Sequence, residues 1–255
     1  MTPAVVFNDE YLLVLDKPPG LVVTSSETKK EPSLEDILAS QGSTLERAGI
    51  VHRLDKDTSG LLVVAKKQDV LENLQSQFKE RGVLKEYLAL VHGWVEKGGR
   101  IEASIARNPG DREKFVVVDG SRIEGREAVT EYQPVQKFLI LNSKLLTLFE
   151  GFNKIQMKKL EKSGFGKFTL LKCHPLTGRT HQIRVHLKYL GHPLVGDQKY
   201  GGRKTTRLDH RFCPRQFLHA ARLEFTHPVT GERIKLESNL PEDLEKALGY
   251  LEKSG

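Results

Sequence analysis

The chain has 255 residues with a hydrophobic fraction of 38%, which is enough for a substantial core and excludes a disordered composition. Its formal net charge of +7 is compatible with a polyanionic partner such as nucleic acid, or with an ordinary, mildly basic protein. Cys173 and Cys213 stand far apart and indicate neither a zinc site nor a redox dithiol. No secretory signal and no apolar run of about 18 or more residues occurs, so we expect a soluble, cytoplasmic protein with no membrane partner.

Hydrophobic patterning predicts short strands in the first third of the chain, with helices between them. Apolar, β-branched or alternating runs predict strands at residues 4–7, 11–15, 61–65 and 85–92. Ser33 is expected to begin a short helix that ends near Ser40. Asp69 with Glu72 resembles a capping box at the start of a longer helix that ends at Gly82.

Further strands are predicted through the middle of the chain, followed by one more helix. The strand candidates are residues 101–106, 115–118, 128–132 and 168–172. Thr180 is predicted to cap a helix that runs to about Leu190 and buries Ile183, Leu187 and Leu190. Many strands with interspersed helices and no internal repeat predict an α+β fold instead of regular β-α alternation.

The stretch from His52 to Gly60 is the most informative part of the sequence. Asp55 stands between Arg53 and Lys56, whose positive charges favour the ionised form of its carboxyl group. The hydrophobic strand that follows at once would attach this loop to a rigid element. An ionised, well-positioned aspartate can act as a nucleophile, as a base or as a metal ligand.

Three other interpretations of this loop remain open from the residues alone. The first is an ordinary turn with surface charges. The second is an EF-hand calcium loop, in which Asp55, Asp57 and Ser59 fit the first ligand positions, although Lys66 stands where the bidentate glutamate is needed. The third is a metal-dependent phosphohydrolase with an Asp-x-Asp pair, whose aspartate usually ends a hydrophobic strand, whereas His-Arg-Leu precedes Asp55 here.

Several motifs, together and in order, resemble those of the RluA-type pseudouridine synthases. They are Val6–Leu21 with its Lys-Pro-Pro-Gly turn, His52–Gly60, Lys85–Ala89, Gly178–His186, Gly196–Gly201 and Leu218–Ala220. The resemblance implies an α+β fold in which a large, mixed and mostly antiparallel sheet carries flanking helices and a central RNA-binding cleft. It also implies one catalytic domain over residues 1–255, without a separate N-terminal RNA-binding domain.

The same resemblance implies an RNA pseudouridine synthase, an isomerase that flips a uridine out of its RNA. It makes Asp55 the catalytic residue and gives Arg184 the role of its ion-pair partner. Tyr87 would stack on the target uracil, which is compatible with the core position typical of a strand tyrosine. Arg53 would fill the gap that the flipped base leaves. The remaining candidates for RNA binding are Lys56, Arg179 and His181.

Pseudouridine formation keeps every atom and changes no oxidation state, so we expect no metal, no nucleotide cofactor and no other cofactor. The sequence contains neither a phosphate-binding loop nor a His-Glu-x-x-His motif. The expected partner is ribosomal or transfer RNA, and the enzyme is expected to act as a monomer. The alternative is a non-catalytic RNA-binding protein or ribosome assembly factor with the same fold.

Residues 139–165 depart from the family pattern, in which a short turn joins the flanking strands. The segment is predicted to be a basic helical insertion with a break at Gly151 and Asn153. Its apolar residues at helical spacing are Leu145, Leu148, Phe149, Phe152 and Ile155. The segment is interpreted either as a helical hairpin packed on the body of the protein or as an added arm that contacts RNA.

Overall fold

The computed structural model describes residues 2–24, 31–118 and 123–254, and within them twelve strands and seven α-helices are numbered in chain order. The strands are β1 (Ala4–Asn8), β2 (Leu12–Lys17), β3 (Ser59–Ala65), β4 (Leu84–His92), β5 (Gly99–Glu102), β6 (Ile105–Arg107), β7 (Phe115–Val117), β8 (Val129–Ile140), β9 (Lys167–Pro175), β10 (Leu218–Thr226), β11 (Arg233–Glu237) and β12 (Leu251–Ser254). The helices are α1 (Leu34–Ser40), α2 (Gln68–Lys79), α3 (Asn142–Leu148), α4 (Lys154–Lys162), α5 (Gln182–Tyr189), α6 (Arg203–Asp209) and α7 (Glu242–Leu248).

The chain divides into two compact units. The first unit takes the residues up to Glu86 together with His219–Asn239, and the second takes Tyr87–Leu218 and the residues from Leu240 onward. Among the described residues, no helix combines the length and the apolar character that crossing a membrane requires.

The first unit is a sheet in the order β1-β2-β3-β10-β11, in which only the β3–β10 pair is parallel. Every residue of β3 is buried, as expected for a strand covered on both faces. Helix α2 buries Val70, Leu71 and Leu74 in a core that also contains Leu61 and Phe225. The element that follows the Asp-Lys-Asp loop is therefore the packed centre of its unit.

The second unit is an antiparallel sheet in the order β4-β9-β8-β12, and β5 also pairs with β8. The strand predicted at 128–132 continues to Ile140 as β8. Strands β6 and β7 form a separate two-stranded sheet. The core of this unit contains several phenylalanines, including Phe138, Phe168, Phe212 and Phe217.

The segment 139–165 forms two helices, α3 and α4, that pack on the second unit. Leu148, Phe149 and Leu160 are buried in the core of this unit. The chain breaks between the helices as predicted, with Gly151 in the left-handed region at a φ of 86°. Ile155 is 66% exposed, so its expected place in the apolar stripe is wrong, because the break shifts the helical phase.

The α+β prediction and the mostly antiparallel strand arrangement are confirmed. The start of α1 is also confirmed, since Ser33 and Asp36 form reciprocal capping bonds.

Two predicted helix caps are wrong. Helix α2 begins at Gln68, so Asp69 lies inside its first turn. Its negative charge interacts favourably with the helix dipole there, but the helix start has no side-chain capping bond. Helix α5 begins at Gln182, and His181 takes the cap position in place of Thr180, because His181 adopts a left-handed φ of 56°.

Candidate active site

Asp55 is half-buried in a turn that precedes strand β3. The carbonyl of Asp55 accepts a hydrogen bond from the backbone N–H of Thr58 at 3.1 Å, and both Thr58 and Ser59 are buried. Gly60 has a φ of 112°, and a Cβ there would lie 2.3 Å from the carbonyl oxygen of Ala220. Only glycine fits such a close approach, so the turn is attached firmly to the parallel β3–β10 pair.

A buried lysine fastens this turn to the Lys-Pro-Pro-Gly turn. The Lys17 side chain is fully buried, and its ammonium donates to the carbonyls of Pro18 at 2.8 Å, Leu21 at 3.0 Å and Lys56 at 2.9 Å. The N–H of Gly20 donates to the same Lys56 carbonyl at 2.9 Å. An ammonium group has three N–H donors, so these carbonyls match its capacity. The residue that directly follows Asp55 is thereby fixed through its backbone.

His52 supports the start of the same loop as a neutral ring. Its Nε2 accepts a hydrogen bond from the backbone N–H of Val63 at 3.2 Å, and its ring stacks on Phe78 with centroids 4.6 Å apart. Burial, with smaller contributions from the charges of Lys85 and Arg47, lowers the pKa of His52 to about 3. The accepting Nε2 places the ring proton on Nδ1. Burial also lowers the pKa of Lys85, to about 8.

A chain of hydrogen bonds gives the Leu-His-Ala motif of β10 a structural role. His219 Nε2 donates to the carbonyl of Ser238 at 3.1 Å, so its Nδ1 accepts from the hydroxyl of Ser59 at 3.0 Å. The Ser238 hydroxyl donates to the carboxylate of Asp16 at 2.6 Å. These bonds anchor the first residue of β3, four positions after Asp55.

In the second unit, Arg184 is held by a buried bidentate ion pair. Its Nε and one terminal nitrogen donate to the two carboxylate oxygens of Asp197 at 2.8 and 2.9 Å, and the two side chains are 5% and 0% exposed. Asp197 also accepts from the backbone N–H groups of Lys199 and Tyr200. The guanidinium lies 5.1 Å from the centre of the Tyr200 ring. The Gly-Asp-x-x-Tyr-Gly motif therefore holds Arg184.

Gln182 organises the turn that leads into α5. Its amide oxygen accepts from the Thr177 hydroxyl at 2.7 Å and from the Arg179 N–H at 3.0 Å, while its amide nitrogen donates to the Val129 carbonyl at 2.9 Å. Arg179 itself is exposed, and its Nε donates to the carbonyl of Glu127 at 2.9 Å. This buried amide fixes the turn before α5, and the cap residue His181 makes no side-chain capping bond.

The predicted site residues fall into both units. The first unit holds Asp55 with the exposed side chains of Arg53 and Lys56. The second holds Tyr87, which is 9% exposed in β4, together with Arg179, His181 and Arg184. His181 bonds through Nδ1 to the Tyr200 hydroxyl at 2.8 Å, and this joins it to the surroundings of Arg184. The expected ion pair between Arg184 and Asp55 stays a prediction.

Sequence reasoning missed three supporting residues, which are Lys17, Gln182 and Asp197. Each lies inside a motif that the sequence flagged, so its position was known but its partner was not. In the described parts of the chain, no group of three or more histidine, cysteine, aspartate or glutamate side chains is placed to hold a metal ion.

Known proteins resemble this chain over nearly its whole length. The profile of the RNA pseudouridylate synthase family matches residues 11–189. Ribosomal large subunit pseudouridine synthase D of Pseudomonas aeruginosa is 40% identical, over 97% of this chain and 71% of that protein. Ribosomal large subunit pseudouridine synthase C of Escherichia coli is 34% identical, over 98% and 70% of the two chains. The structure of human RNA pseudouridylate synthase domain containing 1 superposes with a TM-score of 0.71 at 26% identity, covering 99% of this chain and 89% of that one.

The matched range contains the Asp55 turn, Tyr87 and the whole of α5, and these relatives do not favour the alternative of a protein without catalysis. The predicted family is confirmed. The chain belongs to the RNA pseudouridylate synthase family, and it is an isomerase that acts on RNA uridines.

Proposed function

We propose that this enzyme converts uridines of large-subunit ribosomal RNA to pseudouridine, with Asp55 as the catalytic carboxylate. The substrate is supported by the relatives from Pseudomonas aeruginosa and Escherichia coli, which are named for the ribosomal large subunit and align with nearly all of this chain. A formal net charge of +7 suits a polyanionic substrate.

The reaction exchanges one bond of the ribose for another. The bond from C1′ to uracil N1 breaks, the uracil turns, and a bond forms from C1′ to C5. The proton on C5 leaves and N1 gains one, so atoms and electrons balance without a cofactor. In its ionised form, Asp55 acts at the flipped nucleotide as nucleophile or as base.

The assignment of Asp55 as the catalytic carboxylate is supported by the hydrogen bonds that fix its turn. The bonds from Thr58 to the Asp55 carbonyl and from Lys17 to the Lys56 carbonyl hold the backbone of Asp55 and of the residue that follows it. A catalytic group needs such support, because a small displacement removes it from a productive geometry.

Three further side chains are assigned by the resemblance. Arg53 is exposed and takes the place of the extruded base, which offsets part of the unstacking cost of a few kcal/mol. Tyr87 stacks on the uracil, and Arg184 keeps Asp55 oriented and ionised. The enzyme works as a cytoplasmic monomer and uses no metal ion.

Replacement of Asp55 tests this proposal. The substrate is deproteinised large-subunit ribosomal RNA from the host strain with this gene deleted, and the readout is pseudouridine mapping. Asp55→Asn keeps the shape and removes the ionised oxygen, so turnover should fall by roughly a thousandfold or more while the melting temperature stays the same. Asp57→Asn, in the same loop, is the matched control and should retain most of the activity.

Two outcomes would contradict the proposal. Turnover of Asp55→Asn within tenfold of the wild type would remove Asp55 from the mechanism. If the wild-type enzyme leaves the ribosomal RNA unmodified, the assignment of this RNA as the substrate is wrong. The same assay in excess EDTA should proceed at the wild-type rate, and activity that returns only with one divalent ion would show a metal requirement.

A further inference from the structure

A groove in the second unit lies outside the predicted site residues. Its walls are helix α4, the turn after β4, the loop that follows α5, and helix α6. Its volume is about 1060 Å³, slightly above the range of about 300–1,000 Å³ that is typical of ligand sites. We call it the basic groove, and it is marked by His92, Lys159, Lys188, His192 and Arg207.

The rim of the basic groove is uniformly cationic. Among the described residues that line it, Lys159, Lys188, Arg203, Lys204 and Arg207 carry positive charges, and none carries a carboxylate group. All five side chains are exposed. They come from three different elements, α4, α5 and α6, so the charge surrounds the groove and does not belong to one solvated helix face. A concave surface with one sign of charge concentrates polyanions.

The floor of the basic groove is apolar and partly aromatic. Phe152, Phe165 and Leu208 are half-buried along it, and the Phe165 ring lies 5.8 Å from that of His92. A nucleic-acid duplex presents phosphates and sugars at its surface and would leave this floor uncovered. Unpaired bases stack on aromatic side chains while Lys and Arg contact the phosphates, which is how proteins bind single strands.

The α3–α4 wall is fixed to its unit by Arg211. The Arg211 guanidinium donates to the Leu148 carbonyl at 2.6 Å and lies over the Phe149 and Phe152 rings at 5.7 and 4.9 Å. On the opposite wall, His92 bonds to the buried Asp209 at 2.9 Å. A preformed groove lowers the entropy cost of binding.

Helix α5 connects the basic groove to the predicted site. Arg184 is buried on this helix, and Lys188, one turn later, stands exposed at the groove, a rise of about 6 Å along the axis. An RNA strand bound to the groove therefore lies close to the helix that carries a site residue. We propose that the basic groove binds an unpaired segment of the substrate RNA beside the target uridine, an assignment that rests on the proposed function.

Removal of three groove charges tests this assignment. Deletion of residues 139–165 is unsuitable because it removes Leu148, Phe149 and Leu160 from the core. The variant is Lys159→Gln with Lys204→Gln and Arg207→Gln. The matched control is Lys154→Gln with Lys158→Gln and Lys162→Gln, which removes equal charge from exposed positions of α4 that do not line the groove.

Binding is measured by fluorescence anisotropy, from low to physiological salt, with the wild type and both variants. The probes are a labelled 20-nucleotide single strand and a duplex of the same length. For the single strand, the slope of log K against log[salt] should be less negative by about 2 in the groove variant. Each single-strand phosphate contact contributes about 0.7 to this slope, and the variant lacks three positive charges. Its affinity should fall at least tenfold, while the control variant shows less than half of either change. Affinity for the duplex should change no more than in the control.

Turnover on the ribosomal RNA separates this inference from the proposed function. At saturating RNA the groove variant should match the wild type, with a raised KM. If the wild type forms pseudouridine but the two variants bind the single strand equally well, the groove assignment is wrong and the proposed function stands. Equal weakening of duplex and single strand would overturn the preference for unpaired RNA. If the wild type forms no pseudouridine, the proposed function fails, whatever the anisotropy shows.

Discussion

The turn that carries Asp55 and the helix that carries Arg184 are each fixed within their own unit, but by different interactions. Around Asp55 the supports are spread over backbone groups, with Lys17 donating to three carbonyls and the neutral His52 ring accepting one N–H. Around Arg184 the support is concentrated in one carboxylate, that of Asp197, which is fully buried.

This difference predicts how each support fails. A buried ion pair loses most of its value when either partner is removed, since the remaining charge stays desolvated. In a turn held by hydrogen bonds to neutral carbonyls, each lost bond has only the smaller cost of an unsatisfied polar group. We therefore expect single substitutions to affect the Arg184 support more than the Asp55 support, and acid to affect the turn through His52.

The largest effect is expected from Asp197→Asn. The substitution keeps the shape but removes the charged carboxylate that Arg184 contacts within its own unit, so the free energy of unfolding should fall by up to about 3–5 kcal/mol. Turnover should fall at least tenfold, because Arg184 loses its orientation. Chemical denaturation and pseudouridine formation are the measurements.

Asp243→Asn serves as the matched control for this substitution. Asp243 forms a similar bidentate pair with Arg215 in the same unit, but its side chain is 30% exposed. This variant should lose less stability and keep its turnover. Equal losses of stability in the two variants would show that burial does not set the strength of the Arg184 support.

The sequence predicted the elements of this fold better than the contacts between them. Strand β3 was placed correctly because an uninterrupted apolar run predicts a buried strand without any knowledge of its tertiary contacts. Helix α5 was placed correctly, but its start was assigned to Thr180, since the left-handed turn at His181 leaves no compositional mark. Ile155 was misassigned because helical spacing was continued across a break.

The sequence predicted the residues of the candidate site, but it did not predict the contacts that hold them in place. The motifs identified Asp55 and Arg184 as candidates, and Asp197 lay in a further motif without an assigned role. The pairing of Arg184 with Asp197 depends on how the chain folds back after α5, a tertiary contact with no local signal. The same holds for Lys17, because only the structure brings its ammonium group to the carbonyl of Lys56.

A smaller effect is expected from Lys17→Met. The carbonyls of Leu21 and Pro18 lose the Lys17 donor, and the Lys56 carbonyl keeps only the bond from the Gly20 N–H among those described here, so the free energy of unfolding should fall by about 2–3 kcal/mol. Turnover should fall with KM nearly unchanged, because the backbone beside Asp55 loosens while the RNA-binding surface stays intact. Lys66→Met is the control, since the Lys66 ammonium is exposed and bonds to Asn8 at 2.6 Å. If the two variants were equally stable and equally active, Lys17 would not support the turn.

The smallest effect concerns acid and the His52 ring. Its pKa is lowered from 6.5 to about 3 in the folded protein, so between these values the unfolded chain binds more protons than the folded one. The stability that His52 contributes is fully present above pH 6.5 and is lost as the pH falls toward 3. At pH 5 the loss should reach about 2 kcal/mol, since one pKa unit corresponds to about 1.4 kcal/mol.

Unfolding free energies of the wild type and His52→Gln, measured from pH 8 to pH 4, test this expectation. Glutamine can still accept the hydrogen bond from Val63 but does not titrate, so the variant should lose less stability in acid than the wild type. His210→Gln, at an exposed histidine, is the control for the replacement of an imidazole by an amide. Parallel curves for the wild type and His52→Gln would mean that the ring protonates freely in the folded protein. The acid sensitivity of the Asp55 turn would then have to come from another group.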